Sequence, residues 1–318
     1  MTVDLTQLDQ ANAAVQASTG TAKATKAFAQ AATDVLHAMN PKPATWKMLL
    51  GVSNNVGGGG SLDLLTKLYV KVTREDTAGA FSQLATAGIK CVQIIPSGQP
   101  GAADGRAWCY QLGGNEWYFL NGATGIDPAA FYIQLLADAI AIRQSHPGAL
   151  ISIPLVAYGW SSPLADGWGA CDDHGNYRWN GQTKPAVQWM HDAAPELLTI
   201  AASYEVHIYG PRGLANMDLI SSQLKTYGVT HPRFLVGEDG YSTYNTTEQA
   251  QADYLSARFT AISQRPDVDA YIVYRGQDLV GQSNPAENNY GIEKTNPNWS
   301  DGGPKAAFSV VQSWCKAQ

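Results

Sequence analysis

From about residue 46 onward, the chain alternates short apolar runs with longer amphipathic segments. The eight candidate strands are KMLLGV (47–52), LYVKVT (68–73), KCVQII (90–95), WCYQLG (108–113), LISIPLV (150–156), YEVHIY (204–209), RFLVGE (233–238) and AYIVYR (270–275). Helices are predicted between them at 77–87, 128–144, 217–227 and 247–263, and Asp127 before Pro128 has the sequence of a helix N-cap. Strands that alternate with helices are typical of βα units, which build parallel sheets.

The number of these units predicts an α/β fold, a (β/α)8 or TIM barrel, because eight strands each followed by a helix close such a barrel. An open doubly wound sheet is the alternative, but it usually has fewer strands and a glycine fingerprint after the first. The glycine run VGGGGSLD (56–63) contains neither Gly-Lys-Ser/Thr nor Gly-x-Gly-x-x-Gly. We therefore interpret it as a flexible loop after the first strand.

The first 40 residues have a different pattern from the rest of the chain. Small and apolar residues recur at helical spacing over residues 21–39, and Pro41 and Pro43 then end the predicted helix. No repeat, charge block or Pro/Ser-rich linker divides the remainder. The sequence thus predicts an N-terminal helical extension at 1–40 and one barrel domain at 41–318.

Composition and charge narrow the class of partner. The chain is 45% hydrophobic and carries 9 Trp and 15 Tyr, which a disordered protein would not. A net charge of −6 without a basic run argues against nucleic acid and anionic membranes as partners. There is no run of 18 apolar residues and no signal-peptide pattern at the N-terminus. The sequence leaves open the oligomeric state and the location, whether cytoplasmic, released by lysis, or secreted after loss of a leader.

The four cysteines have no CxxC or CxxH spacing, which argues against a structural zinc site. Cys91 and Cys109 lie in apolar runs and are predicted to be buried thiols. Pairing of Cys171 with Cys315 is left open. The segment CDDHGNYRW (171–179) collects two Asp and one His, but adjacent residues in a loop are weak metal ligands, and we interpret them as solvated loop charge.

Polar side chains follow several candidate strands, at the end of the barrel where βα loops surround an active site. They are Arg74 after the second strand, Asn115 and Glu116 after the fourth, His207 and Tyr209 in the sixth, Glu238 in the seventh, and Tyr274 and Arg275 in the eighth. Two carboxyl groups that face each other, one protonated and one ionised, are what cleavage of a glycosidic bond requires. We predict Glu116 and Glu238 as that pair.

Neighbouring residues have supporting interpretations. Arg74 is predicted either to hydrogen-bond Glu238 and keep it ionised or to form a surface ion pair. Glu205 shares the strand parity of His207 and is the rival carboxylate, although we favour a supporting contact or salt bridge for it.

Five segments in order along residues 46–315 resemble clan A glycoside hydrolases. YQLGGNEW (110–117) is similar to the Asn-Glu motif of their fourth strand, and PRFLVGEDGYST (232–243) to their nucleophile segment. APELLTIAASYEVHIYG (194–210), QAQADYLSARFTAISQRPDVDAYIVYRGQD (249–278) and NYGIEKTNPNWSDGGPKAAFSVVQSW (289–314) resemble the sixth strand, the eighth strand and the closing helix. Trp117 stands where many members have Pro, and Tyr274-Arg275 where many have Trp, so the subfamily is not identified.

The resemblance implies roles for individual residues. Glu116 would be the general acid/base and Glu238 the nucleophile, while Asn115 would donate a hydrogen bond to the sugar 2-hydroxyl. His207 and Tyr209 would line the subsite and help to hold Glu238. The implied chemistry is retaining double displacement, which needs no metal and no organic cofactor.

Loop aromatics point to the substrate class. Trp117, Trp160 and Tyr241 fall in or beside βα loops, where flat rings can stack on pyranose faces, and Tyr274 and Arg275 are further substrate-binding candidates. Several such rings favour an oligo- or polysaccharide. The alternative function is a non-catalytic carbohydrate-binding barrel, such as a surface or phage-associated recognition protein. A metal-dependent barrel hydrolase is disfavoured because SNN (53–55) replaces His-x-His; the sugar, the linkage and endo or exo action stay open.

Overall fold

The computed structural model describes residues 48–75, 78–113, 127–155, 176–296 and 301–318. The predicted N-terminal extension lies outside these ranges, as do residues 171–175 of the segment interpreted as loop charge. Four candidate site residues also lie outside them: Asn115, Glu116, Trp117 and Trp160. What the sequence predicts for them stays a prediction.

Twelve strands occur in the described residues. They are β1 Leu49–Ser53, β2 Val72–Glu75, β3 Lys90–Ile95, β4 Cys109–Leu112, β5 Ile151–Pro154, β6 Asn176–Trp179, β7 Gln182–Pro185, β8 Ser203–His207, β9 Phe234–Asp239, β10 Val268–Tyr274, β11 Glu293–Thr295 and β12 Asp301–Pro304. Eight of them form a closed parallel barrel in the order β1-β10-β9-β8-β5-β4-β3-β2, and the other four form two hairpins, β6-β7 and β11-β12. The predicted (β/α)8 barrel is therefore confirmed.

Eight α-helices occur in the same described ranges. They are α1 Leu62–Lys67, α2 Phe81–Thr86, α3 Pro128–Ser145, α4 Ala186–Ala193, α5 Leu197–Ile200, α6 Gly213–Thr226, α7 Glu248–Ser263 and α8 Ala306–Lys316. Asp127 is the N-cap of α3, as predicted, since its side chain accepts from the Ala129 amide. Thr247 caps α7 in the same way, through the amide of Ala250.

The barrel strands are almost wholly buried because residues on both faces of a parallel barrel are covered. Leu50, Val52, Val236 and Ile272 are each at most 2% exposed. This double burial explains why the strands are recognisable in the sequence as apolar runs. Contacts divide the chain into two compact units, of which one comprises Lys47–Gln93 with Phe234–Gln318 and the other includes Ile94–Arg233.

The position predicted for the second strand, 68–73, was wrong. The apolar run at 68–73 splits, because Leu68 closes α1 by donating its amide to the Leu64 carbonyl, 3.0 Å away. Tyr69 then adopts a positive φ of 60°, which breaks the extended backbone, and β2 begins only at Val72. As a result Arg74 lies within β2 and not after it.

The hairpins and three short helices, α1, α4 and α5, were not predicted. The β6-β7 hairpin includes the end of the segment interpreted as a loop, and its second strand, QTKP, has no buried residue. Cys91 and Cys109 are buried, as predicted, and Cys315 is a buried free thiol. Among the described residues no helix combines the length and apolarity needed to cross a membrane.

Candidate active site

Glu238 and Arg74 form a buried ion pair in the unit that comprises Lys47–Gln93 and Phe234–Gln318. Each residue is 3% exposed, and Arg74 Nη1 donates to Glu238 Oε1. Arg74 belongs to β2, and Glu238 is the penultimate residue of β9. Of the two interpretations of Arg74, the structure gives the contact with Glu238 and not the surface ion pair. A guanidinium at this distance favours the ionised form of a carboxyl group.

The next residue, Asp239, is fully buried and faces the opposite side of β9, because side chains alternate along a strand. Its carboxylate accepts hydrogen bonds from the hydroxyls of Tyr254, at 2.6 Å, and Tyr271, at 2.8 Å. Arg258 Nε lies 3.2 Å from Oδ2. Burial raises the pKa of Asp239 to about 6, although Arg258 and the two tyrosines oppose the rise. These contacts fix the end of β9 against α7 and β10.

Gly240 follows directly and allows β9 and β10 to approach closely where they end. A Cβ atom on residue 240 would lie 2.2 Å from the Tyr274 carbonyl oxygen and 3.2 Å from a ring carbon of Tyr290. Only glycine fits that space without a shift of the backbone. The chain from Glu238 to Gly240 is therefore constrained on both faces of the strand.

Besides Glu238 and Asp239, a third carboxylate, Glu287, lies near the Arg74–Glu238 pair, in the connection from β10 to β11. The Tyr274 hydroxyl donates to Glu287 Oε2 at 3.0 Å. Burial raises the pKa of Glu287, and the negative charge of Glu238 raises it further, against the effects of Tyr274 and Arg275. Burial likewise raises the pKa of Tyr274, with added contributions from Glu287 and Glu238. Sequence reasoning missed Glu287, since its segment GQSNPAENN (281–289) is polar and has no motif.

Two further residues that were predicted to bind the substrate, Arg275 and Tyr241, lie next to Tyr274 or to the partners of Asp239. The peptide bond between Tyr274 and Arg275 is cis, and the Arg275 guanidinium lies 5.8 Å from the centroid of the Tyr274 ring. Arg275 Nε is buried and has no hydrogen-bond partner in the part of the chain that the structure describes. Tyr241 packs against Tyr254, with ring centroids 5.1 Å apart. Their predicted contacts with a sugar stay predictions.

In the unit that includes Ile94–Arg233, β8 carries a second buried polar pair. Glu205 and His207 are 1% and 0% exposed, and His207 Nε2 lies 2.5 Å from Glu205 Oε1. Glu205 therefore contacts His207, and the supporting role that we favour for it from the sequence stays a prediction. Tyr209 is 4% exposed, and its ring stands edge-on to His207 at 6.3 Å between centroids. The roles that the resemblance gives to His207 and Tyr209 stay predictions.

The described part of the site combines the buried carboxylate of Glu238, its guanidinium partner, and the hydrogen-bonded side chains of Tyr274 and Glu287. Such a carboxylate can act as a nucleophile or stabilise a developing positive charge. No cluster of three or more His, Cys, Asp or Glu suited to a metal ion occurs within the described ranges.

The comparison with known proteins shows that this chain is similar to them in fold only. The chain matches no protein-family model, and no curated protein matches it. Among solved structures, a glucosidase from Croceicoccus marinus has a TM-score of 0.59 at 15% identity, covering 85% of this chain and 68% of its own. A family 39 glycoside hydrolase from Bacteroides cellulosilyticus has a TM-score of 0.57 at 15% identity, with 85% of this chain covered. A family 1 β-glucosidase from Thermotoga maritima has 0.55 at 14%, covering 80% and 84%.

Some of these neighbours are much longer proteins. This chain spans 63% of the family 39 enzyme and 46% of a β-galacturonidase from Eisenbergiella tayi, which has a TM-score of 0.54 at 13% identity and covers 81% of this chain. The chain therefore has the (β/α)8 barrel fold that these glycoside hydrolases share.

Proposed function

We propose that the chain is a retaining glycoside hydrolase that cleaves O-glycosidic bonds in an oligo- or polysaccharide. The observation that carries the proposal is Glu238, a buried carboxylate near the C-terminal end of a barrel strand, held by the Arg74 guanidinium. Active sites of barrels of this kind lie at the C-terminal ends of the strands. The fold shared with glycoside hydrolases and the resemblance of the two Glu segments support the same conclusion.

In the first step, an oxygen of Glu238 attacks the anomeric carbon while the bond from that carbon to the glycosidic oxygen breaks. Glu116 gives its proton to the departing oxygen, so the leaving group departs as a neutral alcohol. Arg74 keeps Glu238 ionised, which makes it a nucleophile, and burial removes the water that would solvate the charge. The product of this step is a glycosyl ester on Glu238.

In the second step, Glu116 removes a proton from a water molecule as the water attacks the same carbon, and the ester bond to Glu238 breaks. Two displacements at one carbon return the original anomeric configuration. Glu238 is again ionised and Glu116 again protonated, so the cycle closes without a further reactant.

Asp239 and Gly240 support this role of Glu238. A nucleophile must be held in a precise position, since small misplacements of a reacting group cost large factors in rate. Asp239 ties the strand to α7 on its outer face, and Gly240 allows the close approach of Tyr274. Both residues restrict the backbone that carries Glu238.

Because two of the structural neighbours are named glucosidases, aryl β-glucosides are the first probes, followed by other aryl glycosides and by oligosaccharides. The full chain is incubated with a 2,4-dinitrophenyl 2-deoxy-2-fluoro glycoside, and peptides are analysed by mass spectrometry. The expected result is a single fluoroglycosyl group on Glu238. Proton NMR of the first-formed product should show the anomer of the substrate.

Glu238→Gln should lose at least about 1,000-fold in kcat, whereas Glu196→Gln, a matched change on α5's N-terminal side, should keep wild-type activity. A label on another carboxylate, such as Glu205, would refute the assignment of Glu238. An inverted first product would refute double displacement. Binding of oligosaccharides without turnover or label would favour the non-catalytic carbohydrate-binding barrel.

A further inference from the structure

Glu287 is half-buried and is held by one hydrogen bond. The carboxylate lies on a short 3-10 turn, Glu287–Asn289, and accepts from the Tyr274 hydroxyl on Oε2. Among the described residues no other group donates to it, so Oε1 keeps its capacity to accept. It also interacts electrostatically with Glu238, the candidate nucleophile, and with Arg275.

The loop that carries Glu287 is anchored at several points. Lys305 Nζ donates to Asp278 Oδ1 at 2.7 Å and to the Asn289 carbonyl at 3.3 Å. The Gly291 amide donates to the same Asp278 oxygen at 2.8 Å. Gln251 Nε2, from α7, donates to the carbonyls of Tyr290 and Gly291 at 3.0 and 3.2 Å. These contacts hold the turn in place before any ligand arrives, as a binding site requires.

The chemistry of this position suits a ligand better than a purely structural role. An amide side chain could also accept the Tyr274 hydrogen bond, and it would avoid the unfavourable interaction between two carboxylates. An ionised carboxylate has acceptors only, and it accepts stronger hydrogen bonds than a neutral group does. Hydroxyl groups of a sugar are the donors that such a group would select.

We infer, on the basis of the proposed function, that Glu287 is a substrate-binding carboxylate that accepts hydrogen bonds from a hydroxyl, or two neighbouring hydroxyls, of the sugar unit attacked by Glu238. Tyr274 orients the carboxylate and leaves Oε1 for the sugar. The site then selects sugars that bear a free hydroxyl at this position.

The test combines enzyme variants with substrate variants. The kcat/KM values of wild type and Glu287→Gln are measured on the best aryl glycoside and on its 3-, 4- and 6-deoxy analogues. The variant should lose about 10- to 100-fold on the full sugar, which is the usual contribution of a hydrogen bond to a charged group. On one deoxy analogue the same variant should lose little, because the donor is already absent.

A control separates a direct contact from support of the loop. Asp278→Asn weakens the anchor of the same loop without touching Glu287, so its losses should be similar on every sugar. If loss of each hydroxyl lowers kcat/KM by the same factor in wild type and in Glu287→Gln, the inference is overturned. This holds even when wild type is active and is labelled on Glu238. Absence of turnover and of label in wild type would overturn the proposed function and this inference together.

Discussion

The buried pair of Arg74 and Glu238 permits a quantitative prediction. Replacement of Arg74 by Met keeps most of the apolar stem and removes the guanidinium, so the Glu238 charge stays buried without it. The two side chains are 2% and 4% exposed, so bulk water cannot take over the lost interaction. Loss of one partner of a buried ion pair costs about 3–5 kcal/mol of unfolding free energy. Arg74→Met should therefore be destabilised by about that amount.

A double-mutant cycle isolates the interaction from other effects of each change. The free energy of unfolding is measured by urea denaturation for wild type, Arg74→Met, Glu238→Gln and the double variant, with equal m-values required throughout. The double variant should be more stable than the sum of the single effects implies, by about 2–3 kcal/mol. Arg74→Met should also lose activity, since the guanidinium that holds Glu238 in place is then absent.

An exposed pair in the same unit provides the reference. Lys67 Nζ lies 2.7 Å from Asp63 Oδ2, but these side chains are 56% and 72% exposed. The corresponding cycle with Lys67→Met and Asp63→Asn should give a coupling below about 1 kcal/mol. If the Arg74–Glu238 coupling is no larger than this reference, the reasoning from burial is refuted.

Other changes have separate expected outcomes. The pKa of Asp239 is about 6 in the folded chain against 3.8 unperturbed, so its contribution is complete below about pH 3.8 and lost as the pH rises through 6. Denaturation at several pH values should show that the free energy of unfolding of the wild type falls by about 3 kcal/mol relative to that of Asp239→Asn between these limits. A difference between the two proteins that does not change with pH would contradict this. Gly240→Ala places a Cβ against the Tyr274 carbonyl and should cost about 1–3 kcal/mol in thermal unfolding, whereas unchanged stability would refute the close approach. Glu116→Gln should lower kcat about 10²–10⁴-fold for glycosides with poor leaving groups and less for activated aryl groups, and equal losses would exclude an acid role. Thr247→Ala should cost about 1 kcal/mol through loss of the α7 cap, and unchanged stability would show that the cap contributes nothing.

Much of the barrel could be predicted from the sequence because parallel barrel strands are covered on both faces. Each of the eight strands therefore appears as an apolar run, and seven of them were placed to within two residues. The exception is β2, where the run at 68–73 also contains the end of a helix, and only Tyr69's positive φ separates the two. The strands β6, β7, β11 and β12 have few buried side chains among their described residues, so their sequences do not differ from those of loops.

The candidate site could likewise be predicted from the sequence only in part. The sequence by itself indicated that Glu238 lies near the end of a buried strand, since the apolar run Phe234–Val236 comes just before it. It also indicated Arg74 as a partner through its place near the end of another strand. Only the tertiary structure decided that this ion pair is buried. Asp239's partners come from α7 and β10, and Glu287 reaches the site because Lys305, Asp278 and Gln251 anchor its loop. These contacts are hydrogen bonds and ion pairs between residues that are far apart in the chain. Such contacts produce no periodic pattern in the sequence, so the sequence alone could not indicate them.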